Sequence, residues 1–525
     1  MKVFIDGKET GSRTARGRIF FAPRAELRIG MNPDRVPPFY GRTRANRPSW
    51  FSFDGRMDEI KLFDRSLSGA EIEAEASRET APPDFPPRVL PAGPDAPARF
   101  GARYTRLKYY EEWDALWQVG PHSDVVVRFD DSPVRVVFWR GTRYSPVWVT
   151  ENNIWSADQS FETGTGDVGC VEHMQDIHCR YSHVRIIENT PARAVVHWRY
   201  APVGSYDFLW IRDETTGRAL WVDEYYTFYP DGVGVRKMTW KKFREDENVP
   251  PWIQKQETIV LCHPGQVPED VIHTDFLTLA DFDGASRTYT WEPELRRRRD
   301  VLPKNAPIQV VNLKSRNKPF IIFEPGSRRS YIGGNPGLFS AFSTCNHWPV
   351  AQISSDGRDA LGPDRASSFL GTTTAPIFRE TPDGTVWAGW LYGMTEGSAA
   401  DLAPLGKSWA SAPALEGTGS GYRNRGFDPG QRAYVLECAQ TGQPEILEGE
   451  FRASPDSPLI NAAVYIEGWG NSGVRARLDG RTLAKGDGFE YGFIPTAEGM
   501  DLVIWIECES TRPVKMTLSP EENTR

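Results

Sequence analysis

The feature that most constrains this chain is a period of two. From Arg99 onward, short segments rich in Val, Ile, Trp, Tyr and Phe follow one another with turns between them, among them DVVVRF, VRVVFWRG, HVRII, RAVVHWRY, WVDEYYTFY, GVGVRKMTW, KQETIVLC, PFIIF and TVWAGWLYG. Such alternation belongs to half-buried strands, and neither a long helical period nor a strand–helix–strand alternation accompanies it. The chain is therefore expected to be all-β. At 525 residues it exceeds what one ordinary core holds, so more than one domain is expected. No fixed repeat length appears, which favours a large, supersandwich-like antiparallel β-sandwich over the alternative, a β-propeller.

Composition narrows the function classes. Aromatic residues make up 12% of the chain, while 47 Gly and 41 Pro supply turns rather than long helices, a mix suited to sheets that present rings to sugars. The formal net charge of -8 argues against a general nucleic-acid binder, which needs a basic surface to neutralise phosphates. No apolar run long enough to span a membrane as a helix is present, and the opening MKVFIDGKETG reads as strand and turn rather than as a signal peptide. Six cysteines are too sparse for a disulfide scaffold, and of them only Cys170 and Cys179 lie close in sequence.

Four stretches are expected along the chain. Residues 1–78 begin with KVFI, the Asp6-Gly7 turn and AELRIG, and end in GRMDEIKLFDRSLSGAEI. There Met57, Glu59, Lys61 and Phe63 alternate with Ile60 and Leu62 as a strand would, and Ser68 with Glu71 forms a capping box for a short helix. This ending resembles that of laminin-G-like, concanavalin-A-type jelly rolls; a complete one is longer, so a partial jelly roll is implied. Residues 79–98 are crowded with proline and read as a linker. Residues 99–430 form the expected catalytic all-β domain, and 431–525 a smaller C-terminal β-sandwich.

Chemistry-bearing residues concentrate in two places. TENNIWSADQ, with Asn153 and Trp155, leads to GCVEHMQDIHCRYSH, which holds three of the eight histidines, His173, His178 and His183, together with Arg180 and Tyr181. A hairpin follows, turning at Asn189-Thr190-Pro191-Ala192, and alternation puts Val195, His197 and Arg199 on one face and Val196, Trp198 and Tyr200 on the other. On the next long strand Asp223, Tyr225 and Thr227 share a face. The second place, STCNHWPVAQISSDGR, supplies Asn346, His347, Trp348 and Arg358.

This inventory suits β-elimination at a uronic acid. A base takes the proton beside the carboxylate, a cation or amide neutralises that carboxylate, and an acid protonates the departing glycosidic oxygen. The candidate catalytic residues are His197, Tyr225, Arg199, His173, His178 and His347; the candidate substrate-binding residues are Asn153, Trp155, Arg180, Tyr181, His183, Asn346, Trp348 and Arg358. GCVEHMQDIHCRYSHVRIIENTPARAVVHWRY, with CNHWPVAQISSDGR further on and the laminin-G-like piece in front, resembles the broad-specificity ulvan lyases of polysaccharide lyase family 40. The resemblance implies an acidic polysaccharide of rhamnose and uronate, with or without sulfate on the rhamnose, as partner. A secreted or periplasmic location is expected.

Other readings of the same residues stand beside this one. A histidine in a hairpin is by default more often structural than catalytic, although Arg199 on the same face favours His197. Cys170, His173, His178 and Cys179 could hold a zinc or calcium ion, structural or charge-neutralising, or the two cysteines could pair as a disulfide. The run Arg296–Arg299 reads as a solvated loop able to attract a sulfated chain. A glycoside hydrolase would need two facing carboxylates, for example among Glu162, Glu172, Asp176, Asp223 and Glu224. A non-catalytic carbohydrate-binding protein would use the tryptophans and the terminal domains.

Overall fold

The computed structural model describes residues 2–14, 29, 60–78, 90–93, 99–107, 123–158, 161–165, 169–173, 176, 179–204, 208–209, 215–216, 219–241, 256–263, 266, 268–290, 302–332 and 367–521. The chain forms two compact units, Met1–Tyr40 with Ala45–Pro87, and Gly41–Arg44 with Arg88–Arg525.

In the first unit a hairpin joins Lys2–Ile5 to Lys8–Ser12. Asp6 and Gly7 both take left-handed φ, 50° and 75°, the geometry that a two-residue turn between right-twisted strands requires. The helix Gly69–Ala76 starts at the anticipated box: Ser68 Oγ accepts the Glu71 amide at 3.3 Å, and Glu71 Oε2 accepts the Ser68 amide at 2.8 Å. The strand expected over 57–63 is not found in its described part. Ile60–Phe63 lie outside any strand, with Ile60, Leu62 and Phe63 exposed, and Lys61 turns to Glu75 of the helix at 2.6 Å. Alternation alone does not make a strand where no described neighbour offers it a ladder.

The second unit is all-β. One ten-stranded sheet runs in the order Ser182–Asn189, Ala194–Tyr200, Val222–Phe228, Val233–Lys241, Thr385–Thr395, Lys318–Ile322, Ile308–Leu313, Ile272–Ala280 and Ser286–Tyr289, with Arg379–Glu380 also paired to Thr385–Thr395. An eight-stranded sheet runs Arg328–Ile332, Ser367–Ala375, Gln256–Cys262, Trp155–Asp158, Pro146–Val149, Arg135–Phe138, Asp124–Arg128 and Gly101–Thr105. Every pairing within these two sheets is antiparallel, and none of the described sheets closes into a barrel or propeller. The sandwich expectation holds, and the propeller alternative falls.

The two sheets meet face to face because their inner positions are apolar. Val125, Val136, Phe138 and Trp148 of one interlock with Val196, Trp198, Tyr226, Phe228 and Tyr392 of the other. Edge-to-face ring pairs, such as Phe138–Tyr226 at 5.1 Å and Trp148–Tyr392 at 5.3 Å, fix their register. Along one side the sheets are also stitched edge to edge. Asn189 accepts the Ala102 amide and donates to its carbonyl, and the Tyr104 hydroxyl accepts the Ile186 amide at 2.9 Å.

A second clasp holds Leu90–Pro91 against the eight-stranded sheet. His263 Nδ1 accepts the Leu90 amide at 3.1 Å while its Nε2–H donates to the Asn153 carbonyl at 2.8 Å, which fixes the neutral tautomer. Burial lowers the pKa of this imidazole, and the carbonyl bond opposes that only in part.

The C-terminal sandwich begins earlier than residue 431. Its two five-stranded sheets take in Leu415–Glu416 and Tyr422–Asp428, so Asp428–Arg432 is a hairpin turn inside one of them rather than an entry to the domain. Leu436, Leu447, Phe451, Val464, Ile504 and Leu518 fill the space between its sheets.

Candidate functional site: the open part of the ten-stranded sheet

The outer face of the ten-stranded sheet changes character along its strands. At one end Val235, Leu391, Phe320, Ile322, Ile308 and Val310 are covered by the helix Ala403–Ala410 and its approach, through Ala399, Leu402 and Trp409. Two residues further along the same strands the face turns polar and loses that cover.

Cross-strand pairing lines the polar residues up in two rows. One runs Arg185, His197, Tyr225, Lys237, Gly389; the other runs His183, Arg199, Asp223, Thr239, Trp387, Arg379. Five strand steps make the second row about 24 Å long.

At the centre His197 is 5% exposed, roofed by the Tyr225 ring, which stacks on it at 4.8 Å and 17°. Its Nδ1 accepts from Arg185 Nε at 3.1 Å, so its proton lies on Nε2, 2.8 Å from Asp223 Oδ1. Arg199 holds the same carboxylate, at 3.2 and 3.1 Å from its two oxygens, and lies over the Trp221 ring. Asp223 is thus a fixed anchor between an imidazole and a guanidinium. Burial, and then the Asp223 charge, raise the Tyr225 pKa, against the lowering effect of Arg185 and Arg199, so the phenol keeps its proton at neutral pH. Among the described residues nothing bonds its hydroxyl, and neither Arg185 nor Lys237 has a carboxylate partner. In a chain of net charge -8, this face offers, on either side of a phenol, two cations without a carboxylate partner among the described residues.

The other face of the same strands is sealed. Glu224, next to Asp223 in sequence, accepts from Tyr200 at 2.7 Å, from Tyr226, and from Arg236 Nε at 2.7 Å. Arg236 crosses to the eight-stranded sheet, where Asp158 lies 2.9 Å away and also accepts Trp390 Nε1 at 2.7 Å. Burial alone would lower the Arg236 pKa, but Glu224, Tyr226 and Asp158 raise it well above its usual value.

Of the candidate site residues, the sheet brings together His197, Tyr225, Arg199 and His183. His173 lies elsewhere, fully buried against Trp198 at 4.8 Å and Tyr200 at 5.4 Å, with burial and then Arg143 and Arg236 holding its pKa well below the usual range. Arg180 and Tyr181 sit where the chain enters Ser182–Asn189, their amides bound by the buried Asp176. Asn153 and Trp155 belong to the Leu90 clasp: Asn153 Oδ1 accepts from Arg135 at 2.5 Å and from Trp155 Nε1 at 3.0 Å, and the Trp155 ring is enclosed against Trp139.

His178, Asn346, His347, Trp348, Arg358 and the run Arg296–Arg299 lie outside the described residues. Cys179 is a free, buried thiol rather than half of a disulfide, and burial and Asp176 push its pKa up. Among the described residues no group of three or more His, Cys, Asp or Glu is placed to hold a metal ion. Of the hydrolase candidates, Glu172, Asp176 and Glu224 are buried and Asp223 alone reaches the open face; of Glu162 only the backbone is described. Arg185, Lys237, Trp387 and Arg379 were not among the sequence candidates. Their signal is parity: each occupies the outward position of a strand paired, directly or through one or two neighbours, to those of His197 and Tyr225.

No protein-family profile matches the chain, and no curated protein matches it. Among solved structures, galactose 1-epimerase from Lactobacillus acidophilus NCFM aligns with 57% of this chain and 100% of its own at 9% identity and a TM-score of 0.25. A glycosyl hydrolase family 38 protein from Enterococcus faecalis aligns with 84% of this chain and 53% of its own at 10% identity and a TM-score of 0.26. Likenesses this slight carry no functional argument.

Proposed function

We propose that this protein is a polysaccharide lyase that cleaves a uronic-acid-containing chain by β-elimination on the open part of the ten-stranded sheet. The observation that carries the reading is the His197–Asp223 pair beneath the uncommitted Tyr225 hydroxyl, between Arg185 and Lys237. Elimination needs an acid, a base and a cation for the carboxylate, and all three types meet here. Hydrolysis needs two facing carboxylates, and of the hydrolase candidates whose side chains are described Asp223 alone reaches this face, already held by Arg199 and His197.

Arg199 is committed to Asp223, so neutralising the substrate carboxylate falls to Arg185. When that carboxylate draws Arg185 away, His197 Nδ1 is released as a base, and Asp223 stabilises the imidazolium that forms. The base takes the proton on the carbon beside the carboxylate. The electron pair becomes the new carbon–carbon double bond, the bond to the glycosidic oxygen breaks, and Tyr225 gives that oxygen its proton. Proton exchange with solvent restores both side chains, and no co-reactant is consumed. The substrate would be an acidic polymer outside the cytoplasm, with ulvan-type chains of rhamnose and uronate the first to try.

The test is ultraviolet absorbance of unsaturated uronate on incubation with ulvan, alginate, chondroitin sulfate and polygalacturonate, with and without chelator. A rise on one polymer supports the reading and names the substrate. New reducing ends without absorbance would replace it with hydrolysis, and retention on a polymer without cleavage would replace it with binding alone.

A further inference from the structure

The second polar row does not stop at the sheet's last uncovered strand. Trp387 lies beneath two cations, Lys237 Nζ at 5.1 Å and Arg379 at 4.8 Å from its ring centre. Arg379 is also a wall of a cavity of about 340 Å³ formed with Glu324, Pro325, Trp409, Phe427 and Pro429. A second cavity of about 470 Å³ shares Ala412 and Phe427 with it and continues to Asn424, Arg425 and Tyr434. The row thus opens into a hollow where the helix Ala403–Ala410 ends and the C-terminal sandwich begins.

The charge of this hollow differs from that of the row. Arg379 and Glu324 form a two-pronged ion pair, and Arg425 lies between Glu437 at 2.7 Å and Glu467 at 3.0 Å. Each cation of its wall already has a carboxylate, whereas Arg185 and Lys237 on the open face have none among the described residues. An anionic sugar entering the hollow would meet Glu324 with no spare cation to offset it. A neutral sugar would not: its hydroxyls can donate to the Glu324 carboxylate and accept from Arg379, while Pro325, Phe427, Pro429 and Ala412 take its C–H face. Apolar walls with a few fixed polar groups are the general form of a small-ligand site of this volume.

We propose that this double hollow is a subsite for a neutral, unsulfated sugar unit of the same chain whose uronate lies over Tyr225. The inference rests on the polysaccharide reading of the open face. It assigns the two halves of a repeating unit to two regions, acidic sugars to the uncommitted cations and neutral sugars to the ion-paired hollow. It makes the start of the C-terminal sandwich part of the substrate path.

Affinity electrophoresis of the full chain in gels containing chemically desulfated ulvan, whose rhamnose is neutral, or polygalacturonate, which is uronate throughout, tests this without requiring cleavage. Ala412→Trp fills the wall common to both cavities, and Ser411→Trp fills the first from a different backbone position; neither residue belongs to the proposed catalytic set. Each variant is expected to lose about tenfold in affinity for desulfated ulvan and to keep its affinity for polygalacturonate. Equal losses on both gels, or no loss on either, would overturn the subsite. Failure of the unmodified protein to be retained by either polymer would remove the polysaccharide reading, and the subsite with it.

Discussion

Asp223 and Glu224 are neighbours in sequence, as are Tyr225 and Tyr226, yet the two faces of their strand use the same chemistry for opposite ends. On the inner face Glu224, Tyr226, Tyr200 and Arg236 bond to one another and to Asp158, Tyr200 also accepts the Phe161 amide, and all are withdrawn from water. On the outer face Asp223 is 22% exposed, and Tyr225 and the cations around it keep unused valence. Saturation makes a clasp between sheets; incomplete saturation makes a site. What separates them is the parity of the strand and whether the described residues include a layer that covers it.

Breaking the inner network should cost the most. Arg236→Leu leaves Glu224 and Asp158 buried without their cation, a loss of about 3–5 kcal/mol in stability measured by urea unfolding. Adding Glu224→Gln to that variant should recover part of it. A change near zero in the single variant would show that the clasp is not an electrostatic one.

The outer face should answer in rate instead. Tyr225→Phe is expected to lower kcat on the cleaved polymer by about 10²-fold or more, with urea stability within about 0.5 kcal/mol of the original. A kcat unchanged in this variant would take the acid away from Tyr225. Asp223→Asn is expected to lower kcat roughly tenfold to a hundredfold by loosening the His197 tautomer, again with little change in folding. If Asp223→Asn destabilises as much as Arg236→Leu, the contrast between the faces fails.

The smallest expected effect is a pH slope. Above about pH 6.5 the His263 imidazole is neutral in both folded and unfolded chains and costs nothing. Below that the unfolded chain binds a proton that the folded one resists, so stability falls as pH drops toward the lowered folded-state value. Thermal unfolding between pH 7.5 and 5 should show this loss, and His263→Gln should flatten part of it. An identical slope in the variant would place the acid sensitivity elsewhere, with buried His173 the next residue to replace.

The all-β character, the hairpin at Asn189–Ala192 and the split of His197 and Arg199 from Trp198 and Tyr200 were legible in the sequence, because they follow from a period of two within one strand. The order of the strands was not. His197 meets Asp223 because Ala194–Tyr200 and Val222–Phe228 pair in a register that places His197 opposite Tyr225, and nothing in either segment alone sets that offset. Lys237, Trp387 and Arg379 were missed for the same reason, Trp387 being 204 residues from His183, the far end of its row. Trp155 misled because a tryptophan beside polar residues reads as a sugar platform, whereas its indole nitrogen completes the bonding of Asn153 inside the wall. The C-terminal boundary slipped because a turn with Pro429 and Gly430 looks like a linker when the pairing across it is unseen.

The stitch between Tyr104 and Ile186 bears on how the molecule behaves in a crowded solution. Ser182–Asn189 and Gly101–Thr105 are the outermost strands of their sheets on that side, and such strands offer free amides and carbonyls to any passing chain. Here the Ile186 amide is taken by a phenol, both polar groups of Ala102 are taken by one asparagine side chain, and His183 and Arg185 stand outward along the same strand. Two side chains, Tyr104 from one edge and Asn189 from the other, thereby occupy backbone groups that an incoming strand would need, and one of those edges is the strand that carries Arg185 to the site.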